Sequence, residues 1–286
     1  MMTSTDVLMS DARISPQRVD FIRQLLLRVW RLKGANKLFN AALAYAPYPF
    51  SYWIERERAR VRRVELAARI RDRPRLVPVS ALRTVLLDGL NLLADRHGRA
   101  ALGDYLEFGV YNGTSLLCTY RACEEAGLTH VRLFGFDSFQ GFPLEAANED
   151  DGRWAPGRCY SPLEFTRAVL DAESIDWNRV TLVPGWFRDT LNARTRDSHR
   201  IRKASVIMID CDLYSSTRQA LEFCAPLIQD EALVLFDEYF PREFEGKNLG
   251  ERRAFQEFLA ESGCFEATPF GKYAARTQVF MVTRKR

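Results

Sequence analysis

Two apolar runs in this sequence each end in a pair of acids. VIMI (206–209) gives way to Asp210 and Asp212, and LVLF (233–236) gives way to Asp237 and Glu238. Neither run contains a lysine or an arginine. As neighbouring parallel strands the two would lie about 4.8 Å apart, so their terminal carboxylates would crowd at one edge. Crowded like charges raise a pKa or splay the strand ends. A divalent cation relieves the same repulsion, and an all-oxygen donor set favours Mg²⁺ or Mn²⁺ over zinc.

A second constellation lies upstream. LEFGVYNGTS (106–115) places Gly109 and Gly113 between an apolar strand and a helical pattern, where they permit a tight turn and close approach of backbone to a ligand. The stretch is not GxGxxG, and no Lys-Ser/Thr follows it, so neither a dinucleotide fingerprint nor a phosphate loop is present. The next strand ends at Asp137 in FGFDSF (134–139). An acid at that tip is placed to accept hydrogen bonds from a ribose diol. Together these features suggest a nucleoside-bearing cofactor without a pyrophosphate, a description S-adenosylmethionine fits. Glu107 would meet the ammonium group of such a cofactor, directly or through water.

The elements that must hold these residues alternate. Strands are expected at 104–110, 131–137, 180–185, 204–210, 232–239 and 277–284, and helices at 79–96, 114–126, 161–170, 215–228 and 251–262. That alternation predicts an α/β fold, a mainly parallel sheet covered by helices on both faces. Ligands of such sheets sit beyond the carboxyl ends of the strands, where chain order reverses. Upstream, Ser15-Pro16 starts a helical pattern that runs to Gly34, and a second helix is expected over 52–71.

Composition is that of a globular chain, with 286 residues, 47% hydrophobic and 27% charged. The net charge of +4 is uneven: residues 1–78 hold 16 Lys/Arg against 7 Asp/Glu, including nine arginines between 56 and 75. We therefore expect a basic helical N-terminal arm (1–78) joined to a mildly acidic domain (79–286). The arm is either a solvated helix face or a contact for an anionic membrane surface or another subunit. No aromatics interleave with its arginines, which argues against nucleic acid. No secretory leader and no run of about 18 apolar residues is found, so no spanning segment is expected. The six cysteines form no CxxC pair, consistent with reduced thiols in a cytoplasmic protein.

Six motifs, EFGVYNGTS, FGFDSFQGFP, GWFRDTL, IDCDLYSSTRQAL, LFDEY and GERRAFQEFL, occur in that order. In this the chain resembles the macrocin O-methyltransferase family, of the TylF/MycF/NovP type. The resemblance covers roughly 79–284, with the basic arm mostly outside it. It implies a Rossmann-like class I methyltransferase that moves a methyl group from S-adenosylmethionine to a sugar hydroxyl of a natural product, with magnesium. By position, Asp210, Asp237 and Glu238 would hold the metal. The family shows two aspartates where this chain has Asp237-Glu238. Glu107, Gly109, Tyr111, Gly113, Ser115, Asp137, Ser138, Gly185, Trp186 and Asp210 would surround the cofactor. Asp210 would also be the general base, while Asp212 is an outer acceptor or a strand-end cap.

Trp186 would stack near adenine or serve as a core aromatic, and Tyr214 would line the acceptor site. Glu251 either faces the pocket or suits a helix N-terminus. The polar stretch 139–154 would close over the substrate or stay solvated, with Glu149, Asp150 and Asp151 exposed. His97, His130 and His199 match no motif position, so a histidine base is not expected.

Three rival readings follow. Catechol-type O-methyltransferases place acids on the same two strands but carry a lysine just after the first, and CDLYSS (211–216) has none. A non-catalytic relative would bind partners through the basic arm and have no reason to concentrate acids. A nicotinamide dehydrogenase would need the missing GxGxxG. The acceptor is expected to be a small hydroxyl compound, and the protein a homo-oligomer.

Overall fold

The computed structural model of the chain describes residues 50–241 and 246–285. The helix expected from Ser15 to Gly34 lies outside them. The chain divides into two compact units, the first ending at Asp72 and the second beginning at Arg73. In the first, α1 (Phe50–Arg71) has no acid in its first turn and carries Arg69 and Arg71 in its last, where positive charge suits the helix dipole. No described helix is long and apolar enough to cross a membrane.

The second unit is built on seven strands. In chain order they are β1 (Asp104–Phe108), β2 (Leu133–Asp137), β3 (Val180–Pro184), β4 (Ala204–Ile209), β5 (Glu231–Phe236), β6 (Phe265–Gly271) and β7 (Gln278–Arg284). Their spatial order is β3-β2-β1-β4-β5-β7-β6. Five strands run parallel from β3 to β5, and β7 enters antiparallel to both β5 and β6. Chain order reverses between β1 and β4, which is where a doubly wound sheet leaves its crevice.

The helices around the sheet are α2 (Val79–His97), α3 (Thr114–Glu125), α4 (Leu163–Ala172), the short α5 (Phe187–Thr190) and α6 (Ala193–Ser198), α7 (Tyr214–Cys224) and α8 (Gly250–Ser262). Every residue of β4 and β5 is buried, as a strand covered on both faces requires. Alternation then sorts their side chains. Val206, Met208, Leu233 and Leu235 join the core under α2 and α3. Ile207, Ile209, Val234 and Phe236 join the core under α7 and α8. All six cysteines are free thiols.

Strand β6 was not expected from the sequence. It reads FEATPFG, with only Phe265 buried, and Pro269 cannot donate to a ladder. Such a strand is tolerated only at an edge, and alternation of hydrophobicity does not reveal it. The strands of the inner sheet also stop earlier than expected. Asp210 and the stretch 237–239 lie past the ends of β4 and β5, in turns that the apolar pattern alone joins to the strands.

Candidate functional site

Beyond the carboxyl ends of β1, β2 and β4 the chain turns three times through left-handed backbone. Tyr111, Phe139 and Asp212 have φ of 50°, 55° and 62°. Non-glycine residues there store strain that surrounding contacts must hold, which is common where a site needs a fixed shape. Asp137 supplies the contacts for the first two. Its Oδ2 accepts the N–H groups of Val110 (2.8 Å) and Tyr111 (2.9 Å), and its Oδ1 accepts that of Phe139 (2.6 Å). Burial pushes its pKa up, against those three N–H groups. Gly109 presses this turn onto β4: at φ +89° a Cβ there would lie 1.8 Å from the carbonyl oxygen of Asp210.

Glu107 lies beneath the turn, fully buried. Tyr105 donates its hydroxyl to Oε2 (2.5 Å) and Ser115 donates to Oε1 (2.6 Å). Burial pushes its pKa up to about 8, offset in part by those two hydroxyls.

The ends of β4 and β5 look different. Asp210, Asp212, Asp237 and Glu238 gather there, with Glu251 behind them. Glu251, fully buried at the start of α8, accepts the N–H groups of Glu238 (3.0 Å) and Asp212 (3.3 Å). Burial and then the charge of Asp237, followed by Asp212, Glu251 and Glu107, push Asp210 well above the usual carboxylate range. Burial first, and Glu238 and Asp237 next, push Asp212 up to about 8. Arg276 and Arg153 offset part of this charge at Asp212, and Arg276 also pairs directly with the acids. Its Nη2 lies 2.9 Å from Asp237 Oδ2 and its Nε 3.1 Å from Glu238 Oε1. Tyr273 donates its hydroxyl to the remaining oxygen of Asp237 at 2.9 Å.

Both groups of residues open onto one cavity of about 560 Å³, within the range of small-molecule sites. Gly109, Tyr111, Ser115, Asp137, Ser138 and Trp186 line it, and so do Asp210, Asp212, Asp237, Glu238 and Arg276.

A family model, macrocin O-methyltransferase (TylF), matches residues 17–264 of this chain. The chain belongs to the macrocin O-methyltransferase family. The match begins well inside the basic N-terminal segment, so most of that arm is family sequence, which motif comparison alone had left outside. Two curated relatives are similar over part of their length. The 8-demethyl-8-(2,3-dimethoxy-alpha-L-rhamnosyl)-tetracenomycin-C 4'-O-methyltransferase of Streptomyces olivaceus is 31% identical over 167 residues, 54% of this chain and 56% of that protein. The demethyldecarbamoylnovobiocin O-methyltransferase of Streptomyces niveus is 29% identical over 149 residues, 50% of this chain and 55% of that protein. The chain thus spans about half the length of the curated relatives it matches. Among solved structures, the O-methyltransferase NovP aligns with a TM-score of 0.52 and 21% identity, covering 70% of this chain and 79% of its own. The calicheamicin methyltransferase CalS11 aligns with a TM-score of 0.52 and 21% identity over 95% of this chain and 94% of its own. These likenesses show the fold, the Rossmann-like α/β arrangement of class I methyltransferases.

In this member of the macrocin O-methyltransferase family several expected site residues stand away from the cavity wall. Glu107 is enclosed by Tyr105 and Ser115, and only Ser115 reaches the cavity. Gly113 starts α3 with φ +81°, and Gly185 donates its N–H to the Asp137 carbonyl (2.9 Å). Tyr214 turns toward α8, where its hydroxyl donates to Glu257 and Arg253 covers its ring at 4.6 Å. Glu251 serves the backbone of the two acidic turns.

The stretch 139–154 is not a solvated loop throughout. Asp150 is buried and accepts from Tyr214 N (3.0 Å) and Gly250 N (2.8 Å), tying together the starts of α7 and α8. Glu149 holds the N–H (3.0 Å) and hydroxyl (2.7 Å) of Ser215. Free N–H groups at helix starts draw these acids in. The expected solvation describes Asp151, which is exposed and pairs with Lys247.

Asp210, Asp237 and Glu238 do converge, as the metal expectation required. Yet both oxygens of Asp237 and one of Glu238 are held by Arg276 and Tyr273. As arranged, this donor set does not fit Mg²⁺ or Mn²⁺. Among the described residues, no group of three or more His, Cys, Asp or Glu is arranged to hold a metal ion. Sequence reasoning missed Arg276 and Tyr273 altogether. The only available signal was that a tyrosine and an arginine precede the last strand.

Proposed function

We propose that this chain transfers a methyl group from S-adenosylmethionine to a hydroxyl of a sugar-bearing natural product. What carries the reading is the coincidence of a family match over most of the chain with one cavity that joins the Gly109 turn to the Asp210 carboxylate. The cavity suits S-adenosylmethionine in size, in offering the Trp186 indole to a base, and in offering carboxylates to a sulfonium. When bound, S-adenosylmethionine supplies a sulfonium methyl, which the acceptor oxygen takes by in-line displacement to leave a neutral thioether.

The chain's own residues bind, orient and move one proton. Asp137 fixes the turn that cradles the cofactor, and its place in the wall lets a remaining lone pair meet the ribose. Asp210 accepts the proton of the acceptor hydroxyl as the new carbon–oxygen bond forms. Among the described residues no donor is assigned to its carboxylate, which leaves it available. A raised pKa makes it the stronger base once ionised, and cationic charge brought in by the sulfonium favours ionisation.

A sugar-linked acceptor is favoured over a catechol by the family and by the activities for which the two curated relatives are named. We further propose that residues 79–286 form the methyltransferase domain and that the basic arm mediates self-association. The test is incubation with methyl-labelled S-adenosylmethionine and a panel of glycosylated metabolites and catechols. Labelled glycoside supports the reading. Labelled catechol alone, or no binding of S-adenosylmethionine by calorimetry, overturns it.

A further inference from the structure

Arg276 stands in the turn before β7, and the sheet explains how it reaches the acids. β7 is antiparallel to β5, with Gln278 paired to Phe236. Two residues farther out on each strand, Arg276 falls beside Glu238. The turn is fixed from both sides: Thr277 Oγ1 accepts from the N–H groups of Tyr273 and Ala274 (3.0 Å each), and Phe240 donates its N–H to the Arg276 carbonyl (2.7 Å). The guanidinium therefore arrives pre-positioned on two carboxylates, one of them almost wholly buried, with 4% of the Asp237 side chain exposed.

We propose that the Arg276 guanidinium is the resident cation of this cavity, bridging Asp237 and Glu238 where a divalent ion would sit. Methyl transfer then needs no added metal, and divalent ions compete with the arginine. The proposal rests on the methyl-transfer reading above. Its physical basis is donor geometry. A planar fork satisfies two carboxylates at once and stays charged at any working pH. Mg²⁺ demands near-octahedral oxygens at about 2.0–2.1 Å. It would have to strip charge-assisted hydrogen bonds from Asp237 and Glu238 and then stand beside the displaced guanidinium. By holding those two acids, Arg276 is a positioning residue that leaves the Asp210 carboxylate to the acceptor.

The test uses the full chain and Mn²⁺, followed by electron paramagnetic resonance, beside methyl transfer in chelator. Wild type is expected to bind Mn²⁺ weakly and to keep its turnover in EDTA. Arg276→Ala should bind Mn²⁺ about tenfold tighter or more, because a like charge no longer competes with the ion, and should lose most turnover in EDTA and regain part of it with Mn²⁺. Arg276→Lys should keep the charge but lose the bridge, and fall between. Tight Mn²⁺ binding by wild type, or turnover abolished by EDTA with S-adenosylmethionine still bound, would overturn the proposal. Both of those measurements need no variant, so an unfolded Arg276→Ala leaves the outcome decided. Failure to bind S-adenosylmethionine at all would instead sink the methyl-transfer reading, while the Mn²⁺ titration still judges the arginine.

Discussion

Two halves of one sheet edge handle buried carboxylates in opposite ways. At the ends of β1 and β2 the acids are separate and nearly saturated: Glu107 is held by two hydroxyls, Asp137 by three backbone N–H groups. They act as fixed hubs around which the backbone is shaped. At the ends of β4 and β5 the acids face one another, and the Arg276 guanidinium bridges Asp237 and Glu238 while the Tyr273 phenol meets Asp237. Asp210 is left with crowded charge and open cavity. Hydrogen bonds from the chain make an acid structural, whereas their absence beside like charges makes it reactive.

Substitutions can break this contrast, and the largest effect belongs to the unsaturated side. Asp210→Asn should lower turnover by about 10²–10⁴-fold, with S-adenosylmethionine affinity within a few-fold by calorimetry. If affinity falls as far as turnover, Asp210 belongs with the structural acids. On the saturated side, Asp137→Ala leaves three turn N–H groups without their acceptor. It should cost about 2 kcal/mol or more of stability in urea unfolding and weaken cofactor binding over tenfold.

Glu107→Gln sharpens the comparison through pH. Glu107 titrates near 8 folded and near 4.5 unfolded, so its protonated form is favoured in the fold. Its contribution to stability is complete below the unfolded value and is lost as pH rises to the folded one. The variant should show a flatter midpoint of unfolding between roughly pH 5 and 8; an unchanged slope would remove Glu107 as its source. The smallest effect should come from Glu149→Ala, which removes a side-chain cap from α7 at Ser215. It should lower stability by about 0.5–2 kcal/mol in thermal unfolding and leave turnover near wild type. A loss of turnover larger than that of stability would move the 139–154 stretch into the catalytic machinery.

The contrast was half legible in the sequence. Asp137, Asp210, Asp237 and Glu238 were visible because each follows an apolar run, and strand ends are where a doubly wound sheet delivers its side chains. Glu107 was visible as an acid near the turn, but not its enclosure by Tyr105 and Ser115. Tyr214 followed the right strand, yet its side chain turns to Glu257 on α8. Asp150 read as solvated because the helix starts that bind it are 64 and 100 residues farther along the chain.

Apolar strand runs alternating with helical patterns, and acids at the strand ends, are local features, and they determined the inner sheet, its main helices and the carboxylates gathered at one edge. Which cation meets those carboxylates was decided by tertiary structure. Arg276 is 39 residues from Asp237 in sequence, and only the antiparallel register of β7 on β5 brings them together. β5 and most of β7 are buried on both faces, so their apolar runs lack the alternation by which a local pattern sets register.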